Sequence, residues 1–120
     1  MSPTKIYTIL SATDLAESEA WYTKLLGRGP DNRPMATLVQ WELFENAGLG
    51  LATDPVISGG AASVSLFVDD IAAERRRLDG LGIRLGDDIE GDYSTMAQVE
   101  DPAGNRITLS TPPDPPYPPT

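Results

Sequence analysis

Apolar and polar residues alternate along several short stretches of the chain, and this period of two predicts half-buried β-strands. Strands are predicted at residues 5–12, 36–44, 49–53, 62–68, 83–85 and 93–100, with a last strand after residue 104. Turn-rich connections are predicted at 28–34, 45–48, 55–61 and 86–92. The turn at 101–104 is the clearest landmark, because Pro102 restricts φ and Gly104 tolerates a positive φ.

Two other stretches repeat their apolar residues every three or four positions and predict amphipathic helices. The first begins at the N-cap Asp14 and ends at Gly27. The second begins at Asp69 or Asp70 and is expected to run to Gly82. Each helix therefore follows a predicted strand directly.

This order of elements occurs twice. Asp14 and Asp70 lie 56 residues apart, as do the strand positions Tyr7 and Ser63, and such a repeat indicates two copies of one structural unit. The predicted organisation is one domain at 1–111, with module one at about 5–54 and module two at about 62–111, followed by a tail at 112–120. The tail holds six Pro in nine residues, so we expect a flexible end or a ligand for domains that bind proline-rich peptides.

Composition narrows the function classes. The 120 residues carry a net charge of −9 and include neither His nor Cys. Such a chain is a poor partner for nucleic acid, lacks the usual general base and transition-metal ligand, and has no thiol chemistry. With no apolar run of membrane-spanning length, we expect a cytoplasmic protein that uses no membrane. An acidic surface serves solubility and also favours cationic ligands.

Three segments carry a family resemblance. They are DLAESEAWYTKLLG at 14–27, SVSLFVDDIAAERRRLDGLGI at 63–83 and EDPAGNRITL at 100–109. They resemble the vicinal oxygen chelate superfamily, which includes glyoxalase I, extradiol dioxygenases, fosfomycin-modifying enzymes and bleomycin-resistance proteins. The resemblance implies an α+β fold in which two paired βαβββ modules form a cupped mixed sheet around a cleft. It also implies a homodimer.

The metal enzymes of that superfamily place His, Glu or Gln at four strand positions. By the resemblance, these positions fall at Tyr7, at Gly50 or Leu51, at Ser63 and at Thr108. Neutral hydroxyls bind divalent cations weakly, so we expect a member without metal or other cofactor. Glu42 and Glu100 are the candidates for an oxygen-only site in the alternative case.

Alternation along the strands, taken with the implied fold, predicts which side chains bind a ligand. The candidates on these faces are Tyr7, Ile9, Gln40, Ser63, Ser65, Phe67, Met96 and Thr108. Two further candidates are Trp41, as a stacking platform, and Tyr93, at the mouth of the cleft. Trp41 could instead pack the sheet, Tyr93 could lie on the surface, and the whole face could be filled by its own side chains. Glu42 is a weak catalytic candidate: it acts as a base if desolvation raises its pKa, and it is an ordinary solvated side chain otherwise.

Three functions follow from these features. The first is a metal-independent binding protein that resembles bleomycin-resistance proteins and sequesters an aromatic or cationic compound in the cleft between modules. The second is a glyoxalase-like lyase or isomerase that uses an oxygen-ligated metal or a carboxylate base. The third is an interaction module without a ligand.

Overall fold

The computed structural model describes residues 1–54 and 62–119. The chain divides into two compact units: unit 1 comprises Met1–Ala62 and Asp101–Asn105, and unit 2 comprises Ser63–Glu100 and Arg106–Thr120. The connection predicted at 55–61 lies outside the described residues.

Unit 1 is one βαβββ module. Its elements are β1 (Ile6–Ser11), α1 (Leu15–Leu26), β2 (Asn32–Met35), β3 (Leu38–Phe44) and β4 (Ala47–Ala52). The four strands form a mixed sheet in the order β1-β4-β3-β2, with β1 parallel to β4 and the other pairs antiparallel.

Unit 2 repeats the same order. Its elements are β5 (Ser63–Phe67), α2 (Ile71–Asp79), β6 (Ile89–Glu90), β7 (Thr95–Glu100) and β8 (Arg106–Ser110). Its mixed sheet has the order β5-β8-β7-β6, with β5 parallel to β8. The predicted α+β class and the two βαβββ modules are therefore confirmed.

Side-chain capping sets where both helices begin. The Asp14 carboxylate accepts a hydrogen bond from the Glu17 backbone N–H at 3.1 Å, and the Asp70 carboxylate accepts one from the Ala73 N–H at 3.0 Å. Asp70 is therefore the second N-cap, of the two residues that the sequence left open. Gly27 ends α1 with φ of 77°, a left-handed conformation that glycine adopts without strain.

The core of unit 1 lies between α1 and one face of its sheet. Tyr22 of α1 and Trp41 of β3 are both fully buried, with ring centroids 6.1 Å apart. Leu10, Leu49 and Leu51 are buried with them. Aromatic rings of this size account for much of the apolar area that a small module buries.

The turn at 101–105 packs with unit 1 and is held by a buried carboxylate. Asp101 is 5% exposed and accepts hydrogen bonds from the Tyr22 hydroxyl at 2.7 Å, from Asn105 Nδ2 at 2.7 Å and from the Asn105 N–H at 2.8 Å. Burial raises the pKa of the Tyr22 hydroxyl above its ordinary value, and the hydrogen bond to Asp101 raises it further. The Asn105 side chain also donates to the Ser11 carbonyl at 2.7 Å, at the end of β1.

Three predictions in unit 2 are wrong. No strand forms at 83–85. The Ile83 N–H instead donates to the Leu78 carbonyl at 2.9 Å, and the Arg75 guanidinium bonds the carbonyls of Leu85 and Gly86 at 3.2 and 2.8 Å. The short strand β6 forms within the predicted loop at 86–92 instead. The second helix also ends at Asp79, before the predicted Gly82.

Within residues 1–54 and 62–119, neither helix has the length and apolar character needed to cross a lipid bilayer.

We predict that Tyr22→Phe destabilises the protein by about 1.5–3 kcal/mol, because it removes one hydrogen bond from a buried carboxylate while the ring packing remains. Urea unfolding measures the loss. Tyr117→Phe is the matched control, since Tyr117 is 55% exposed, and it should change the free energy of unfolding by less than about 0.5 kcal/mol. Equal effects of the two substitutions would contradict the assigned role of Asp101.

Candidate functional site

Each sheet has one face toward its helix and one face that its helix does not cover; we call the second the helix-free face. In unit 1, this face carries alternate residues of β1, β4 and β3. They are Tyr7, Ile9, Ser11, Gly48, Gly50, Ala52, Leu38, Gln40 and Glu42. The register pairs Tyr7 with Gly48 and Ile9 with Gly50, so two glycines lie under the large side chains of β1.

The Tyr7 ring lies over Gly48. A Cβ atom at position 48 would lie 2.5 Å from Cε1 of Tyr7 and 2.8 Å from the Trp41 carbonyl oxygen. Glycine here allows the close approach of a ring to the central strand. The ring thereby reaches from β1 across β4, and its hydroxyl donates a hydrogen bond to Glu42 on β3.

Glu42 is held as an anion. Lys5 Nζ lies 2.6 Å from Glu42 Oε2, and Asn32 Nδ2 donates to Glu42 Oε1 at 3.2 Å. The bond from Lys5, and then the bond from Tyr7, lower the pKa of this carboxyl below its ordinary value, while Glu42 raises the pKa of Lys5. The sequence made Glu42 a candidate base only if desolvation raised its pKa. Donors on three sides outweigh desolvation and lower that pKa instead, which makes the carboxylate a weaker proton acceptor.

The other unit 1 candidates lie on different faces. Ile9 and Gln40 share the helix-free face and flank Gly50 in one cross-strand row. Trp41 lies on the opposite face, fully buried beside Tyr22, and its indole N–H donates to the Arg28 carbonyl at 2.9 Å. The sequence left two roles open for Trp41, sheet packing and ligand stacking. Its position in the core corresponds to sheet packing, so Trp41 does not belong to the candidate site.

The helix-free face of unit 2 brings most of its candidates together in two rows. The apolar row follows the register Phe67–Ser110–Met96–Ile89 across all four strands. The polar row follows Ser65–Thr108–Gln98, with Gln98 Nε2 donating to Thr108 Oγ1 at 3.1 Å. Ser63 lies one position further along the same face, opposite Arg106.

Tyr93 lies apart from these rows, next to the proline-rich tail. Its ring meets the Tyr117 ring edge-on, with centroids 5.1 Å apart, and its carbonyl accepts the Asp114 N–H at 2.7 Å. An open depression of about 220 Å³ lies beside Tyr93 and Asp114, and Glu90 and Asp92 also line it.

The donor set does not fit a catalytic divalent metal. Two of the four positions that the superfamily uses for ligands carry hydroxyls already engaged in hydrogen bonds, that of Tyr7 with Glu42 and that of Thr108 with Gln98. Within 1–54 and 62–119, no three acidic side chains are grouped to hold a metal ion. Neutral hydroxyls of this kind do not replace the imidazole and carboxylate ligands that a divalent ion needs.

Sequence reasoning missed three parts of this arrangement. The sequence places Gly48 in a hairpin turn, and only the strand register shows that it lies under Tyr7. Lys5 lies just before β1 in the structure and reaches Glu42 from 37 positions away. Ile89 belongs to a strand of two residues, which is too short to show a periodicity.

Comparison with known proteins agrees with this architecture. A family model described as a glyoxalase-like domain matches residues 7–110. The chain belongs to the glyoxalase-like domain family. The resemblance to the vicinal oxygen chelate superfamily is thereby confirmed. No curated protein matches the sequence.

Solved structures share the fold of this glyoxalase-like domain. A glyoxalase/bleomycin resistance protein from Catenulispora acidiphila DSM 44928 is 24% identical with a TM-score of 0.78, the match covering 91% of this chain and 98% of that one. Lactoylglutathione lyase from Agrobacterium tumefaciens is 24% identical, with a TM-score of 0.74 and coverages of 92% and 96%. TnmS3, an antibiotic binding protein from Streptomyces sp. CB03234, is 20% identical, with a TM-score of 0.72 and coverages of 90% and 94%.

We predict that Gly48→Ala destabilises the protein by about 1–3 kcal/mol, because the new methyl group meets the Tyr7 ring and a backbone carbonyl. Gly29→Ala is the control, since a Cβ at position 29 has no heavy atom within 4 Å. In a Tyr7→Ala background the cost of Gly48→Ala should fall, which a double-mutant cycle by urea unfolding measures. An unchanged cost in that background would show that the ring does not occupy this space.

We predict that the stability difference between the wild type and Glu42→Gln depends on pH at both ends. Glu42 has a lowered pKa, so its contribution is present above the ordinary value of 4.5 and disappears as the pH falls through the lowered pKa. Lys5 has a raised pKa, so the contribution is present below 10.5 and disappears as the pH rises through the raised pKa.

Urea unfolding from pH 3 to pH 11 measures this dependence. The free-energy difference should form a plateau near neutral pH and decline toward both extremes. Glu45→Gln, at an exposed neighbouring carboxylate, should show a smaller difference without that plateau. A Glu42→Gln difference that stays constant with pH would contradict the ion pair.

Proposed function

We propose that this protein is a metal-independent small-molecule binding protein that sequesters an aromatic or cationic compound without changing it chemically. The observation that carries the proposal is the engagement of the Tyr7 hydroxyl by Glu42 and of the Thr108 hydroxyl by Gln98, at positions where metal enzymes of the superfamily hold their ion. These groups can bond a ligand, but they do not supply a Lewis acid or a free base.

The chemistry of the helix-free faces supports binding. They combine exposed apolar groups such as Phe67 with hydroxyl and amide groups, which is the mixture typical of sites for small organic molecules. The net charge of −9 attracts cations at low ionic strength. TnmS3, which shares the fold, is an antibiotic binding protein.

The alternative, a glyoxalase-like lyase or isomerase, finds no support in Glu42. Its carboxylate has a lowered pKa and is bonded to Lys5, Tyr7 and Asn32, so it is poorly suited to take a proton from a carbon acid. The proposal keeps the expectations of a cytoplasmic homodimer, and sedimentation equilibrium tests the dimer.

We predict that protein purified without chelator contains much less than one equivalent of divalent metal, measured by elemental analysis. We also predict that at least one member of a panel of planar aromatics, organic cations and peptide antibiotics raises the Tm and gives a calorimetric Kd in the micromolar range or below. Stoichiometric metal together with turnover of a dicarbonyl substrate would favour the enzyme instead. A panel with no binder would remove the basis of the proposal.

A further inference from the structure

We propose that the helix-free face of unit 2, and not that of unit 1, holds the ligand, and that the ligand is a neutral planar aromatic compound stacked on the apolar row. This inference rests on the proposed function and names its ligand class and its binding residues. The apolar row consists of Phe67, Met96 and Ile89 around Ser110, and the polar row consists of Ser65, Thr108 and Gln98.

The corresponding face of unit 1 is occupied by its own side chains. The Tyr7 ring covers Gly48 and is bonded to Glu42 on the far side. At Gly50, the Cβ position lies 3.3 Å from Ile9 Cγ1 and 3.5 Å from Leu38 Cδ1, so these side chains already lie over the central strand. A flat ligand would have to displace them to reach the sheet.

In unit 2, the first strand has small side chains at the positions where unit 1 has large ones. The repeat that aligns Tyr7 with Ser63 also aligns Ile9 with Ser65, so β5 carries small hydroxyl residues where β1 carries large ones. Both serines are exposed. No ring reaches across the sheet from these two positions, because a serine side chain is too short.

The apolar row has exposed residues at both ends. Phe67 is 54% exposed and Ile89 is 44% exposed, although both are large and apolar. Four adjacent strands about 4.8 Å apart span about 14 Å, which is more than the length of three fused aromatic rings, so a ring system of that size fits on the row. Such a ring system could stack on Phe67 and contact the Met96 thioether, which packs well against aromatic rings.

The polar row determines which edge of the ligand is recognised. It lies two residues along the strands from the apolar row, which is about 7 Å. The Gln98 amide donates to Thr108 and keeps an acceptor oxygen, and the Ser65 hydroxyl both donates and accepts. A carbonyl or N–H group on one edge of the ring system would find a partner here.

The charges on this face favour a neutral ligand. The next row pairs Glu100 directly with Arg106, so a cation and an anion lie opposite each other. Neither sign predominates at that end of the face. The net charge of the chain therefore does not by itself select the compound that stacks on Phe67.

Fluorescence titration with acridone, a neutral planar molecule of three fused rings with one carbonyl and one N–H group, tests the proposal. We expect Phe67→Ala to weaken acridone binding about tenfold or more, because the stacking contact and its apolar area are lost. Ile89→Ser should also weaken it several-fold, and Phe67→Tyr should preserve it. Gln98→Met should weaken acridone binding several-fold by removing the amide.

Phe44→Ala is the matched control, since Phe44 is a 71% exposed phenylalanine of unit 1 and its loss should leave acridone affinity unchanged. Melting temperatures of all variants verify that they fold. If the wild type binds no member of the panel, the proposed function fails. Two other results would overturn this inference while the proposed function stands. In the first, the protein binds acridone but Tyr7→Ala weakens binding more than Phe67→Ala does. In the second, the protein binds only cationic compounds.

Discussion

The buried carboxylate of Asp101 is the interaction on which the organisation of unit 1 depends. A buried carboxylate is costly unless its oxygens receive hydrogen bonds. Here donors come from helix α1 through Tyr22 and from the turn itself through Ala103 and Asn105. Asn105 in turn bonds the Ser11 carbonyl, where β1 ends. One side chain thus joins the helix and the turn, and Asn105 extends the same network to the first strand.

The packing of α1 determines which face of the unit 1 sheet is left without a helix. Tyr22 of α1 lies close to Trp41, so the Trp41 side chain is buried in the core between the helix and the sheet. What remains on the helix-free face is Tyr7 over Gly48, joined to Glu42 and Lys5. This cluster is internally paired in both charge and hydrogen bonds.

The two modules therefore differ in chemistry although they share one topology. Tyr7 of unit 1 aligns across the repeat with Ser63 of unit 2. On the neighbouring strand, Gly50 of β4 corresponds to Thr108 of β8. An aromatic ring fills one face, whereas short hydroxyls leave the other with an exposed Phe67. Two modules can therefore share one fold while the side chains on their helix-free faces differ, because a fold does not fix the chemistry of a site.

Much of this fold could be predicted from the sequence, because it depends on local interactions. The caps Asp14 and Asp70 and the alternation along most of the strands depend on neighbours within a few positions, and the structure has them as predicted. The tertiary structure alone decided the position of Trp41, the strand at Ile89 and the pairing of Lys5 with Glu42. These depend on strand register and on contacts between distant residues, and a one-residue shift in register moves every side chain to the other face.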